Sequence, residues 1–368
     1  MIAQSNNLSR AAVFKEGGEF LSVVRTRVDS HFGGRSRRGD PRLYRKAAII
    51  GVWFVSSYCL LLTVRAGWAQ ILLCISYALA ASGLGFNVFH DAVHGAFSPN
   101  KRLNTFLGWL MSTVLGPGRY LWWYKHNILH HTFTNIFKLD DDLETRGYLR
   151  LSPRQPWRPT FRYQHLFFVF LYGLNTLEWI FVKDFVQFFT QRMNPYQPLQ
   201  PMSRKLKQEF FISKLIYLAV FVLLPFLMLP PLRVVAGFVL FHVTLSLTMS
   251  FVFGLAHVIE KADFPVPTSD AAKVDEWAAH QMRTTVNFAT DNRLVNWFTG
   301  GLNFQIEHHL FPQISHTHYP DISGIVRHAA SEFGLPYNHY DTFGEAVKSH
   351  YRTLCELGAG RANSYEGA

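Results

Sequence analysis

A chain of 368 residues with 49% hydrophobic, 15% aromatic and only 17% charged content is too apolar for an average soluble protein and too polar to lie wholly inside a membrane. Its formal charge of +11 comes with no nucleic-acid motif, so anionic lipid headgroups and an acidic protein are the natural counterparts and nucleic acid is not. The cysteines, Cys59, Cys74 and Cys355, are scattered, which argues against a disulfide framework or a thiolate cluster and leaves metal binding to histidine.

Residues 1–46 are polar and basic without an apolar signal core, so an uncleaved cytoplasmic segment is expected there. No repeat, low-complexity tract or linker divides the rest, and one integrated domain is expected over 47–345, followed by a tail at 346–368. Four runs have the length and apolarity of membrane helices, which need about 20 residues. They cover 47–64, 69–89, 212–231 and 234–257. The first two are joined by "RAGW" and the last two by little more than "LR", so each pair reads as a helical hairpin. The tips carry one basic residue each, Arg65 and Arg233, and the other Lys and Arg residues lie elsewhere, so both hairpins enter from the cytoplasm and return to it.

A further apolar stretch at 165–189 carries Asn175, Glu178, Lys183 and Asp184. It reads as a helix lying in the cytoplasmic interface, with a buried hairpin as the second reading. The expected fold is therefore an all-α integral membrane protein: four transmembrane helices in two hairpins beneath a cytoplasmic helical cap.

Eight of the 17 histidines fall in four clusters: "HDAVH" (His90, His94), "HNILHH" (His126, His130, His131), "LAHVIE" (His257) and "IEHHLF" (His308, His309). Residues four apart share a helix face, and on this topology every cluster sits at the cytoplasmic end of the spans, so the eight imidazoles can meet. Histidines isolated in polar loops are usually only solvated or hydrogen-bonded, the reading given to His31, His165, His280, His316, His318, His328, His339 and His350. His242, inside the fourth run, reads as a packing polar group. Eight ligands are too many for one ion; two ions with open positions suit dioxygen chemistry, for which iron has the redox capacity and zinc does not. A metal transporter is the rival from another class, but it calls for ligands at mid-membrane depth.

"HDAVH", "HNILHH" and "QIEHH" resemble, in order and in topological register, the three boxes of the membrane-bound histidine-box fatty acyl desaturases, over residues 45 to 340. A third box opening with Gln305 resembles the front-end subgroup, whose members insert a double bond between an existing one and the carboxyl end, at Δ5 or Δ6. The resemblance implies two non-haem irons, O2 as co-substrate, a long acyl chain and the eight histidines as ligands. Gln305 stands where relatives place the first histidine of that box and is expected to be a weak ligand. Ligating imidazoles normally donate their second N–H to a carboxylate, carbonyl or water, which makes Asp91, Glu260, Glu307 and the run Asp140 to Asp142 candidate partners. Phe89, Trp122, Trp123, Tyr124 and Phe304 are candidates for lining an acyl tunnel, with interfacial anchoring as the competing reading of Trp122, Trp123 and Tyr124.

"HFGG" at 31–34 echoes the haem motif of a fused cytochrome b5 domain, but 46 residues before the first span, with His31 as their one histidine, do not make such a domain. A separate donor is expected, a ferredoxin or a cytochrome b5-like protein with its reductase, serving a bacterial inner-membrane enzyme. An acyl or sphingoid hydroxylase on the same scaffold remains the nearest alternative reaction.

Overall fold

The computed structural model describes residues 14–15, 18–265 and 274–360. Helices dominate. Helix α1 (Glu19–Phe32) leads to two long apolar helices, α2 (Pro41–Thr63) and α3 (Gly67–His94), and then to α4 (Lys101–Leu115) and a helical stretch at 119–133. Three more long helices follow, α5 (Pro159–Thr190), α6 (Arg204–Met228) and α7 (Pro231–His257). The C-terminal part adds α8 (Trp277–Thr284), α9 (Arg293–Phe298), α10 (Gln305–Leu310), α11 (Tyr319–Glu332) and α12 (Phe343–Gly358).

Among the described residues five helices, α2, α3, α5, α6 and α7, are long and apolar enough to cross a membrane by length and composition. The expected spans start or end a few residues away from the observed helices because the local caps decide. Asp40 accepts from the Arg42 backbone N–H and Pro41 opens α2, so this helix begins before the apolar run does. The "HFGG" residues close α1, with Gly33 in the left-handed region at φ 51°.

The hairpin tips touch: Arg233 donates to the Arg65 carbonyl at 3.0 Å and Arg65 to the Met228 carbonyl at 3.1 Å. At the opposite end α1 packs Phe20, Val24 and Val28 against Ile322, Val326 and Ala329 of α11, and covers α10. The stretch set apart as a tail begins inside α12, which a Thr342/Glu345 capping box starts and whose Ala346, Leu354 and Leu357 are buried. The termini of both outer segments, 1–13 and 361–368, lie outside the described residues.

Two of the four π-helical turns among the described residues bear on the histidines. One, Gly85–Phe89, directly precedes His90, and the other, Tyr124–His130, contains His126 and His130. Such wide turns inside α-helices recur at functional sites because they rotate the side chains that follow relative to the regular register. Gly300, at φ 61°, lets the loop before α10 close onto the first of them: a Cβ there would stand 2.5 Å from the Phe86 carbonyl oxygen.

A candidate metal centre

All eight clustered histidines are buried at the end of the bundle remote from the tips. The end of α3 supplies His90 and His94, residues 119–133 supply His126, His130 and His131, the last turn of α7 supplies His257, and α10 supplies His308 and His309. They form interlocking nests whose ligand atoms lie within 4.8 Å of one another: His90, His94, His126 and His308; His130, His257 and His309; and, between them, His131, His308 and His309.

The donor chemistry fits metal ions. The Nε2 atoms of His90 and His126 are 3.2 Å apart, and those of His131 and His126 3.3 Å. At that separation either one ring donates its N–H to the other or a shared cation takes both lone pairs. Burial first, and then the neighbouring imidazoles, hold His126, His131, His308 and His309 well below the ordinary histidine range, in the neutral form that ligates. His90 Nδ1, His94 Nε2, His131 Nδ1, His308 Nε2 and His309 Nε2 are buried without a hydrogen-bond partner.

Other ring nitrogens are held from outside. His130 Nδ1 meets both Asp140 oxygens at 3.1 Å, and although burial opposes its charge, Asp140 and Asp142 raise its pKa. His257 Nδ1 reaches the Thr284 carbonyl at 3.2 Å, His308 Nδ1 the Tyr319 hydroxyl at 3.2 Å, and His309 Nδ1 the Gln281 Oε1 at 2.8 Å. Such contacts fix which nitrogen faces inward.

The carboxylates named from the sequence divide in location. Asp140 and Asp142 touch His130, whereas Asp141 turns to Lys183 and Asn194. Asp91 lies 3.8 Å from His90 Nδ1 and accepts from His316 Nδ1 at 2.9 Å. Glu307 points away from the imidazoles, to Tyr337 at 2.8 Å and Asn287 at 2.9 Å, and burial raises its pKa against those bonds. Glu260 is exposed. Gln305 is buried, and its Nε2 donates to the Leu302 carbonyl at 2.7 Å.

His280, His316 and His350, assigned to polar loops from the sequence, are buried instead. His350 bridges the Val258 carbonyl at 2.6 Å and the Tyr172 hydroxyl at 3.0 Å. Inside α7, His242 is hydrogen-bonded to Thr176 and Tyr217, the packing role expected of it. Sequence reasoning missed Gln281, Thr284, Tyr319 and His316; only His316, in "SHTHYP" after the third box, carried a signal that proximity to a histidine motif could have raised.

A cavity of about 500 Å³ opens beside the nests, with His126, His257, Trp122, Tyr172 and Met249 among its walls and Glu144, Arg146 and Glu178 towards its rim. That volume suits a ligand-sized apolar guest. A pocket of about 20 Å³ continues inward past Trp122 to Phe89 and His90. Trp122 lines both, Phe89 the inner one; Trp123, Tyr124 and Phe304 line neither. Tyr124 packs among Leu121, Met193 and Leu199, with Trp123 against that group, and Phe304 packs beneath α1.

Long apolar helices that carry a polyhistidine cluster able to hold metal to one end, next to a ligand-sized cavity, are the features of a membrane metalloenzyme class. Residues 66–341 match the family model described as "Fatty acid desaturase", and the chain belongs to that family. It is 35% identical to the sn-1 linoleoyl-lipid 6-desaturase of Synechocystis sp., over 94% of this chain and 97% of the relative. Identity with the sn-1 linoleoyl-lipid 6-desaturase of Arthrospira platensis is 36% over 92% of each chain. With the acyl-lipid (8-3)-desaturase of Mortierella alpina it is 31%, over 94% of this chain and 79% of the relative. The protein is a fatty acyl desaturase of the membrane.

Proposed function

We propose that this desaturase is a front-end enzyme that removes two hydrogens at Δ6 of a lipid-linked polyunsaturated acyl chain. The observation that carries the reading is the pair of imidazole nests, joined through His131 and opening on the 500 Å³ cavity. The relatives named as linoleoyl-lipid 6-desaturases, alignable over nearly their whole lengths, support the position and the lipid-linked substrate.

His90, His94, His126, His130, His131, His257, His308 and His309 would hold two irons. When bound, the irons supply, with O2 and external electrons, the oxidant that an unactivated C–H bond requires and that no acid or base side chain replaces. The chain's own residues do the rest. Asp140, Gln281, Tyr319 and the Thr284 carbonyl lock ring orientation, which presets the geometry before substrate arrives. Trp122 and Met249 keep the acyl chain in an apolar channel beside His126 and His257. Because its N–H is committed to Leu302, Gln305 would offer its oxygen, a neutral ligand weaker than imidazole, and leave one iron more open.

The metal end faces the cytoplasm, supported by the scarcity of basic residues at the tips. There the basic surface would dock a separate ferredoxin or cytochrome b5-like donor. Four crossings follow with α5 lying in the interface, which its Asn175, Glu178, Lys183 and Asp184 support. Its Phe168 sits by Phe251 near the metal end, Phe181 by Phe238 towards the tips, and Phe188 by Phe210 near the start of α6.

Lipid mass spectrometry of a host fed linoleoyl lipid tests the reading. Desaturation shows as loss of two hydrogens between the original double bond and the carboxyl end; gain of one oxygen would instead make the enzyme a hydroxylase. Each of His94→Ala and His309→Ala should abolish product while the protein stays in the membrane, and metal analysis should find two irons per wild-type chain. Unchanged product and iron in Gln305→Ala would remove Gln305 from the ligand set.

A further inference from the structure

A second cavity, of about 210 Å³, lies between the two hairpins at their tips and shares no wall residue with the substrate cavity. It stands at the far end of the molecule from the histidines: α3 alone runs 28 residues from Gly67, at this cavity, to His94, about 42 Å of helix. Tyr58, Tyr77, Phe221 and Phe241 form much of its wall, and Tyr58 ties the hairpins together by donating to the Val220 carbonyl. The space far exceeds that of one water, and an apolar slot does not give water the two to four polar partners it needs.

Two observations say what occupies it. Gln70 lines the cavity and is nine-tenths buried. Its Oε1 accepts from Arg233 Nη1 at 3.2 Å, which sets the amide orientation, and its Nε2 is left buried without an acceptor. An unmet buried donor is costly, so the site calls for a ligand oxygen. Arg233 lines the cavity and Arg65, whose carbonyl it reaches, stands beside it; both are exposed, and among the described residues neither has a carboxylate partner. Residues 41–90 and 210–257, which build both hairpins, contain no Asp or Glu at all.

We infer that this cavity is a binding site for one anionic glycerophospholipid, with an acyl chain in the slot, an ester carbonyl oxygen on Gln70 Nε2 and the phosphate on Arg65 and Arg233. Guanidinium groups are the side chains best shaped to hold phosphate. A zwitterionic lipid would bring its ammonium to a rim with two positive charges and no negative one. The lipid is distinct from the substrate, because its site lies in the leaflet opposite the metal centre. Its role is to wedge the hairpins together where Arg65 and Arg233 already cross-link them.

The full chain in vesicles of phosphatidylglycerol and phosphatidylcholine, released into native mass spectrometry, tests this. Wild type should retain one phosphatidylglycerol, and the double variant Arg65→Gln/Arg233→Gln should retain it roughly tenfold less, as loss of charge-assisted bonds predicts. A Cβ at Gly237, in the cavity wall, would meet nothing within 4 Å, so Gly237→Leu should fill the slot and displace the lipid while desaturase activity persists. Added phosphatidylglycerol should raise the unfolding midpoint of wild type but of neither variant. Equal retention of phosphatidylglycerol by wild type and the arginine variant, or equal retention of phosphatidylcholine, overturns the inference. So does inorganic phosphate that raises the midpoint as much as the lipid does, since the slot would then play no part. The arginine variant changes only exposed side chains, so the test stands even if Gly237→Leu misfolds.

Discussion

Asp140→Asn is the sharpest probe of the metal centre, because it preserves shape and changes only the acceptor. The Asp140 carboxylate takes His130 Nδ1 from both oxygens at 3.1 Å and also accepts from the backbone N–H groups of Asn135 at 2.9 Å and Asp142 at 3.0 Å. An amide has one acceptor oxygen. It must give up the charge-assisted bond to the ring, a loss of about 1–1.5 kcal/mol relative to a neutral bond, and leave one buried N–H unmet, another 1–3 kcal/mol or so. His130 also loses the partner that orients it, so iron affinity and activity should fall about 10–100-fold. Glu307→Gln is the control: an equally buried carboxylate bonded to Tyr337 and Asn287 instead of to an imidazole. Iron content by inductively coupled plasma mass spectrometry, with product yield on the same preparation, reads both. Wild-type iron and activity in Asp140→Asn, or a larger iron loss in Glu307→Gln, would refute the reasoning.

Lys214→Met should destabilise by about 3–5 kcal/mol, since it strips Asp184 of its buried partner, and the paired Lys214→Met/Asp184→Leu should recover much of that; thermal unfolding in detergent measures both. Tyr172→Phe removes the hydroxyl that meets His350 Nε2 and should cost about 1–3 kcal/mol of stability without loss of iron, checked by the same unfolding curve and metal analysis. Chelation should lower the unfolding midpoint. Zinc should restore it without restoring activity, and ferrous iron should restore both, because zinc fills imidazole sites but has no redox chemistry.

The readable parts of the sequence were those written in contiguous runs. Apolar stretches near 47–64 and 234–257 announce helices because length and hydropathy are local properties, and His90 with His94 announces a shared face because four residues make about one turn. The supports of the centre are another matter. Gln281, Thr284 and Tyr319 come from three separate segments and meet His309, His257 and His308 through tertiary contacts that no spacing records. His316 looked like a solvated loop histidine because its partner, Asp91, is 225 positions away. The π turns were equally hidden: an inserted residue shifts the register and so changes where His126 and His130 point, and no residue type in the stretch marks where it enters.

The provenance of the nests constrains how the enzyme matures. Each of the three all-histidine nests includes His308 or His309, near the end of the chain. A chain that has emerged only as far as α7 has therefore built only part of each of these sets, and they are finished when α10 folds back beneath α1. Closing the all-histidine nests thus depends on the fold of α10 against α1 and not on the hairpins alone, which by themselves leave only the mixed group of His126, His130 and Asp142.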